Sequence, residues 1–579
     1  MSETSINEII IVAIDFGTTF SGYAYSYREE YLRDPLQIYS NRWDGQILPQ
    51  APTVLLFNSE KTESYFGFEA EEKYDGLIKR KEHKDWRYFR RFKMDLNREK
   101  KLTRKMTIKD AQGRKMPALE VFAAAIKHLK NHFMEQAKLR VKLQEHEVRW
   151  VITVPAIWSD DAKEFMVEAA KMAEIKEDKL SLAYEPEAAA IYCKHIRLAK
   201  LREPGKDATI QPFPPGLKFL VLDLGGGTVD ISAHEVQEDG TLKALTEPSG
   251  GKWGGTLVDD GFLEIFEGLF GADIMTGLKR DIEQAESKRE LDAEIEMKKR
   301  TIVGKSNAKA NNVISIKLPF ALREGTKSAQ FESALESGTY ELIQGKLLID
   351  NSILLSAFEN SVSKIVEHFN ILLGKTELER LDAVVMAGGF SDSKVVQEAI
   401  KDVLKNYPKV DLIIPENSAS AIVHGAVLYG FNPSVISTRK SKYSYGISTS
   451  APFVEELHPL SHGVQRDGSN KCEDIFKVFV KKGEEVIPGQ TTATHTFNPS
   501  PLTRENQTIE VYKSEEDVPP MLVTECQKVG LVCFTVPNGD FDATTVKVEM
   551  KFGGTQMTVS AVVNGPNGSK SVKAFFDWL

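Results

Sequence analysis

The sequence predicts an α/β unit built from two copies of one strand–turn–strand device, followed by a separate antiparallel β domain. Three observations carry this. The apolar run 219–222 ends at Asp223, breaks on Gly225, Gly226 and Gly227, and resumes through Thr228, Val229, Asp230 and Ile231. The run 9–14 ends in the same order, at Asp15, Phe16, Gly17, Thr18, Thr19 and Phe20, and resumes through Tyr23 and Tyr25. Near Gly430 helical periodicity stops while Pro, Thr and Val rise.

Each hairpin has a chemical reading. Glycines let a tip turn tightly and expose backbone N–H groups, and such concavities favour phosphate. Thr18, Thr19 and Thr228 add hydroxyl donors. Asp15 and Asp223 close the two strands. A carboxylate beside phosphate oxygens needs an intervening cation, and hard oxygen ligands favour Mg²⁺. Two facing copies imply phosphate clamped between halves of a duplicated unit. The mononucleotide loop Gly-x-x-x-x-Gly-Lys-Ser/Thr does not occur.

Composition narrows the function classes. The 579 residues suffice for several domains with sizeable cores. A net charge of −9 argues against a general nucleic-acid or membrane-surface binder. The basic, aromatic stretch 80–105 therefore reads as a solvated helix or loop near an anionic ligand. Cys193, Cys472, Cys526 and Cys533 form no Cys-x-x-Cys pair, which suits a reduced, cytoplasmic protein. The N-terminus lacks a basic leader with a cleavage site, and no apolar run is long enough to span a membrane.

The remaining elements follow in order. Residues 40–70 read as strands and loops. Residues 117–137 carry Leu119, Phe122, Ile126 and Leu129 at helical spacing. A buried strand, 148–154, stops at Pro155, and Ser159-Asp160-Asp161 caps a helix. Pro186 sits at the first turn of another helix. Residues 202–216 read as a surface loop, 259–302 as charged helices, and 311–345 as a strand-containing insertion. The strand 383–387 ends at Gly388-Gly389-Phe390-Ser391, with a helix from about 393. A small-residue helix covers 418–429, where His424 reads as packed or exposed. Strands at 476–480, 491–497 and 509–512 precede a hairpin in which Val546, Val548 and Met550 alternate with charged residues.

These motifs resemble those of the superfamily of actin, hexokinase and the 70-kDa heat-shock proteins. The wording of Asp223-Leu-Gly-Gly-Gly-Thr-Val-Asp230 is similar to the heat-shock (DnaK-type) family, and the resemblance covers nearly the whole chain. It implies an actin-like (ribonuclease H-like) nucleotide-binding domain over 1–431 with an insertion at about 259–345. A linker at 432–442, a β-sandwich of the substrate-binding type at 443–568 and a short tail at 569–579 would follow. That tail is too short for a helical lid.

The resemblance also implies roles. ATP or ADP would bind with Mg²⁺, the metal held through water by Asp15 and Asp223. Thr18, Thr19, Gly225, Gly226, Gly227 and Thr228 would hold phosphate, with Gly17 and Phe20 also in the nucleotide-binding set. Glu185, in Tyr184-Glu185-Pro186, would orient the attacking water, and Lys93 would stand near the γ-phosphate. Glu296, Lys299, Arg300, Gly388, Gly389 and Phe390 would surround the nucleoside. The expected activity is a slow Mg²⁺-dependent ATPase of a stress-response chaperone. Its partners would be unfolded or extended peptides, co-chaperones and an exchange factor. The alternative is a nucleotide-gated interaction module with little turnover.

There are departures from the family pattern. No acidic residue stands near Ala419 and no serine-like group near Val303, and 433–437 lacks the family's leucine run. The divergent, lidless branch named heat shock 70 kDa protein 12 is the nearest in pattern.

Overall fold

The computed structural model describes residues 8–43, 45, 49–97, 102–195, 198–199, 210–211, 213–304, 313–336, 338–466, 468–490, 492–497, 506–535, 545–551, 554–555, 558–565, 568–572 and 574–578. The expected loop at 202–216 lies largely outside them, as do Gly553 and Leu579.

Two sheets repeat one topology. In the first, Ile10–Phe16 pairs parallel with Val148–Val154 and antiparallel with Phe20–Tyr27, and Leu180–Tyr184 extends the parallel side. In the second, Lys218–Leu224 pairs parallel with Ala383–Ala387 and antiparallel with Val229–Val236, and Asp411–Ile413 extends the parallel side. The predicted duplication is thus present strand for strand. In register, Asp15 faces Gly22, and Asp223 faces Asp230.

Alternation along each central strand sorts side chains between two faces. Ile10, Val12, Ile14 and Phe16 enter a core with Phe122 and Phe165 of the helices Ala118–Lys138 and Asp160–Met172. Leu220, Leu222 and Leu224 enter a second core with Phe262 and Phe358 of Gly255–Phe270 and Asn351–Leu373. The opposite faces, through Ile11, Ala13, Phe219 and Val221, share a third core. That core is filled by the helices Glu185–His195 and Ala421–Phe431. These helices cross closely, because a Cβ on Gly425 would lie 1.7 Å from the Ala188 carbonyl oxygen. The two lobes are therefore joined through small side chains.

Two local readings need correction. The stretch 80–105 is not a solvated helix or loop throughout. It contains the strand Arg87–Arg90 and the 3₁₀ turn Phe92–Asn97, which buries Phe92 and Lys93. Ser159 stands at the N-cap of Asp160–Met172 but makes no capping bond. Asp160 instead pairs with Lys163 at 2.8 Å and accepts from the Tyr445 hydroxyl at 2.8 Å.

Beyond Gly430 the chain is β-rich. The described strands form one sheet in the order Gly463–Arg466, Ser469–Val480, Ser444–Pro452, Asn506–Ser514, Gln527–Thr535, Ala574–Trp578. A second sheet runs Thr492–Phe497, Thr545–Lys551, Thr558–Gly565, Gly568–Val572. Ile447, Val511 and Val532 of one share a core with Val546, Val548 and Met550 of the other. The expected tail after 568 forms strands of the β-rich part, Gly568–Val572 pairing with Thr558–Gly565. Ala574–Trp578 pairs with Gln527–Thr535, and Asp577 meets Arg104 at 2.8 Å. All four cysteines are free. Among the described residues no helix is long and apolar enough to cross a membrane.

The segment expected as a linker is a strand of the second lobe. Ile436–Lys440 pairs parallel with Leu242–Ala244 and antiparallel with Glu485–Val486. What seats it is charge. Arg439 Nε and Nη2 donate to the two Glu187 carboxylate oxygens at 2.7 and 2.6 Å, and both residues are buried. The guanidinium also lies 4.9 Å from the Tyr184 ring centroid.

Removing one partner of such a pair strands the other charge in the interior, which costs about 3–5 kcal/mol. Arg439→Met should therefore lower stability by about that amount. The double variant with Glu187→Leu should recover much of it, because no charge remains buried. Urea denaturation midpoints of the three proteins measure both effects.

Candidate functional site

The facing tips of the two hairpins bound a cleft between the lobes, a cavity of about 260 Å³. Every site residue inferred from the sequence lines it. From the first lobe come Asp15, Gly17, Thr18, Thr19, Phe20 and Lys93, with Glu185 at the start of its helix. From the second come Asp223, Gly225, Gly226, Gly227, Thr228, Glu296, Lys299, Arg300, Gly388, Gly389 and Phe390.

The two tips touch. A Cβ on Gly226 would lie 2.5 Å from Thr19 Oγ1, and one on Gly227 2.5 Å from Thr18 Oγ1. Any side chain there would push the lobes apart, so glycine is a steric requirement. The second tip is also fixed from behind. The N–H groups of Gly254, Gly255 and Thr256 donate to the carbonyls of Gly227, Gly225 and Gly226 at 3.2, 3.1 and 2.7 Å.

At the floor, acidic groups crowd around one cation. Lys93 donates to Glu185 at 2.6 Å, both buried. Asp15 accepts from Gln50 at 3.1 Å and from Thr153 at 2.9 Å. Burial, then the Glu185 carboxylate, pushes its carboxyl up to about 6. Burial, again with Glu185 next, pushes Asp223 well above the carboxylate range, and Asp230 up to about 7. Asp223 Oδ1 and Asp230 Oδ2 find no hydrogen-bond partner among the described residues. Buried acceptors without partners are costly, and a hydrated divalent cation is the species that would satisfy them. Among the described residues no three His, Cys, Asp or Glu side chains converge as direct ligands. Retention through a water shell therefore suits the donor set better than a protein cage, as is usual for Mg²⁺.

The outer end of the cleft is organised by helix Ala285–Lys298. Lys299 Nζ lies 2.8 Å from Asp259 and 2.5 Å from Glu296. Arg300 bonds Glu296 at 2.8 Å and spans the cleft to the Phe20 ring at 5.8 Å. Further ion pairs join the first lobe to helix Ala285–Lys298, including Arg289 with Asp75 at 2.6 Å, and Arg90 with Asp292.

Several lining residues were not assigned roles from the sequence: Gln50, Gly255, Asp392, Ser393, Ala419 and Ile422. Asp230, which the hairpin places opposite Asp223, is fully buried behind it rather than in the wall of the cleft. Gln50 lies on the short strand Gln50–Pro52, which has no periodicity to read. His424 donates to or accepts from Ser40 at 2.7 Å and takes no place in the cleft.

A carboxyl raised by folding stabilises the protein below its unfolded pKa, and that contribution is lost as pH rises through the folded value. For Asp15 and Asp230 the loss falls between about pH 4 and 7. Without divalent cations, Asp230→Asn should therefore become more stable than the wild type as pH rises to 7.5, by about 1–3 kcal/mol. At pH 4 the two should be nearly equal. Thermal melts at both pH values check this.

The model for the family described as Hsp70 protein matches residues 81–530. The chain is 31% identical to human Heat shock 70 kDa protein 12B, over 98% of this chain and 91% of the relative. It is 30% identical to Heat shock 70 kDa protein 12A of Mus musculus, over 99% and 92%. Chaperone protein DnaK of Mycoplasmopsis agalactiae is 25% identical, over 63% of this chain and 54% of its own. With its duplicated sheets and facing phosphate-type hairpins, the chain belongs to the Hsp70 protein family, in the pattern of its heat shock 70 kDa protein 12 members.

Proposed function

We propose that this protein binds Mg²⁺-ATP in the interlobe cleft, hydrolyses it slowly, and couples nucleotide state to the binding of extended peptide or unfolded protein by its β-rich part. The observation that carries the reading is the floor of the cleft. Three buried aspartates and the Lys93–Glu185 pair lie beneath two interlocked donor loops. Mg²⁺, when bound, neutralises phosphate charge and orients the chain of phosphates. Asp15 and Asp223 hold its water shell, and the two loops donate to phosphate oxygens. Lys93 places a positive charge at the outermost phosphate. Glu185 accepts from the attacking water once a phosphate oxygen draws Lys93 away from it. Phe20, Lys299, Arg300 and Phe390 face the nucleoside.

Coupling has a short path. The Ile157 N–H donates at 2.9 Å to Asp230, which is paired with Asp223 behind the cleft, and the Ile157 carbonyl accepts from Lys442 beyond the linker strand at 2.7 Å. One residue thus touches both the metal-side carboxylate and the junction with the β-rich part. We read the two sheets that share one core as the peptide-binding β-sandwich. An extended peptide added at a sheet edge would gain main-chain hydrogen bonds.

A gating module with little turnover is the second reading. It is favoured by Ala419, which lines the cleft without a carboxylate, and by the closeness of the Lys93–Glu185 pair.

Calorimetric titration with ATP and ADP in Mg²⁺ tests binding, and a steady-state assay with and without apolar peptide separates the readings. Asp223→Asn should weaken Mg²⁺-nucleotide binding in a folded protein. Glu185→Ala should leave binding largely intact and slow hydrolysis by roughly 10²–10⁴-fold. Equal loss of binding and rate in Glu185→Ala would make that residue structural. Full Mg²⁺-ATP affinity in Asp223→Asn would sink the two-aspartate arrangement.

A further inference from the structure

A second cavity, of about 90 Å³, lies away from the nucleotide cleft where four parts of the chain meet. The first lobe supplies Trp158, Asp160 and Lys163, and the second supplies Ser232 and His234. The linker strand and its continuation supply 439–443, and the β-rich part supplies Tyr445 and Val529 among others. Its volume admits several waters or one small molecule.

Charge around it is unbalanced. Lys163 and Lys442 of the wall, with Lys513 close by, face the carboxylate of Asp160, which lies 2.8 Å from Lys163 and 3.7 Å from Lys513, and Asp230 also acts on Lys442. Arg439 is already matched by Glu187 and Lys440 by Glu485, while Glu164 stands partly exposed in the wall. Lys442 Nζ has the Ile157 carbonyl as its acceptor. Burial and the two neighbouring lysines pull its amine down to about 8. His234 is 1% exposed and shares a hydrogen bond with Ser232 at 2.8 Å through Nε2. Its Nδ1 finds no partner among the described residues. Burial pulls the ring down to about 4, so it is neutral at pH 7. A half-buried lysine whose hydrogen bond goes to a carbonyl, and the Nδ1–H of the His234 tautomer that accepts from Ser232, can both donate to one added acceptor.

We propose that this junction cavity binds a small oxyanion, the phosphate or carboxylate group of a low-molecular-weight ligand, between Lys442 and His234. The ligand acts as a clamp. Its walls come from both lobes, the linker strand and the β-rich part, so only the arrangement with the strand seated offers the complete site. A ligand that binds one arrangement shifts the equilibrium toward it. The site is separate from the nucleotide cleft, and the inference stands whether or not ATP is turned over.

The test uses the full chain. Inorganic phosphate and malonate are titrated separately by calorimetry at constant ionic strength. Hydrogen exchange is followed over 436–442 with and without each anion. Binding of one or both, with slowed exchange over 436–442, is the expected result, and the anion that binds identifies the ligand's acidic group. Lys442→Met should weaken binding about tenfold or more, the usual scale for a charge-assisted bond. His234→Phe, which keeps the ring shape, should weaken it severalfold. Absence of binding by both anions, or binding without exchange protection in the wild type, overturns the proposal. So does phosphate affinity unchanged in both variants, which would place that phosphate in the nucleotide cleft.

Discussion

The architecture depends on holding acidic side chains out of water where a cation can reach them. Asp15, Asp223 and Asp230 end or follow strands buried on both faces. Nothing in a sheet interior solvates a carboxylate, so their protons are held above the usual range. The fold accepts that cost at one place and offsets it with few groups: Gln50, Thr153, the Ile157 N–H and the Lys93–Glu185 pair. The rest follows from it. The sheets must be parallel on one side so that their strand ends converge. Both hairpin tips must be small, and the helices beneath must approach closely enough to bring the halves together.

Much of this could be read from the residues. The hairpins were legible because strand, Asp, Gly and Thr recur in one order, and chain order fixes what a local turn can do. The C-terminal hairpin was legible because Val546, Val548 and Met550 keep a strict period of two. Contacts between distant segments were harder. Arg439 in a polar linker and Glu187 on an alanine-rich helix look like two surface charges until the fold places them 2.6 Å apart. The 569–579 tail is too short to fold alone. Its Ala574–Trp578 stretch is a strand because Gln527–Thr535 supplies the hydrogen bonds it lacks by itself. Lys93 sat in a basic, aromatic run whose other described lysines and arginines are at least partly solvated, and only the 3₁₀ turn that buries it shows which lysine differs.

The linker also shows how one structural role can be filled by different chemistry. An apolar strand holds by area removed from water, which is nondirectional. Here a bidentate guanidinium–carboxylate pair fixes position and angle together. The strand is thereby seated beside Leu242–Ala244 although its pairing there shifts register between Leu242 and Lys243.

Burial also sorts the molecule's ion pairs by what dissolved salt can do to them. Mobile ions screen charges they can surround, with a Debye length of about 8 Å at physiological ionic strength. Between the first lobe and the segment before helix Ala285–Lys298, Lys84–Glu283 is open to solvent and weakens as salt rises. Arg439–Glu187 is enclosed by protein and stays out of reach of those ions. Raising ionic strength therefore weakens this surface contact between the lobes while leaving the linker strand seated, so the two attachments respond separately to one solution variable.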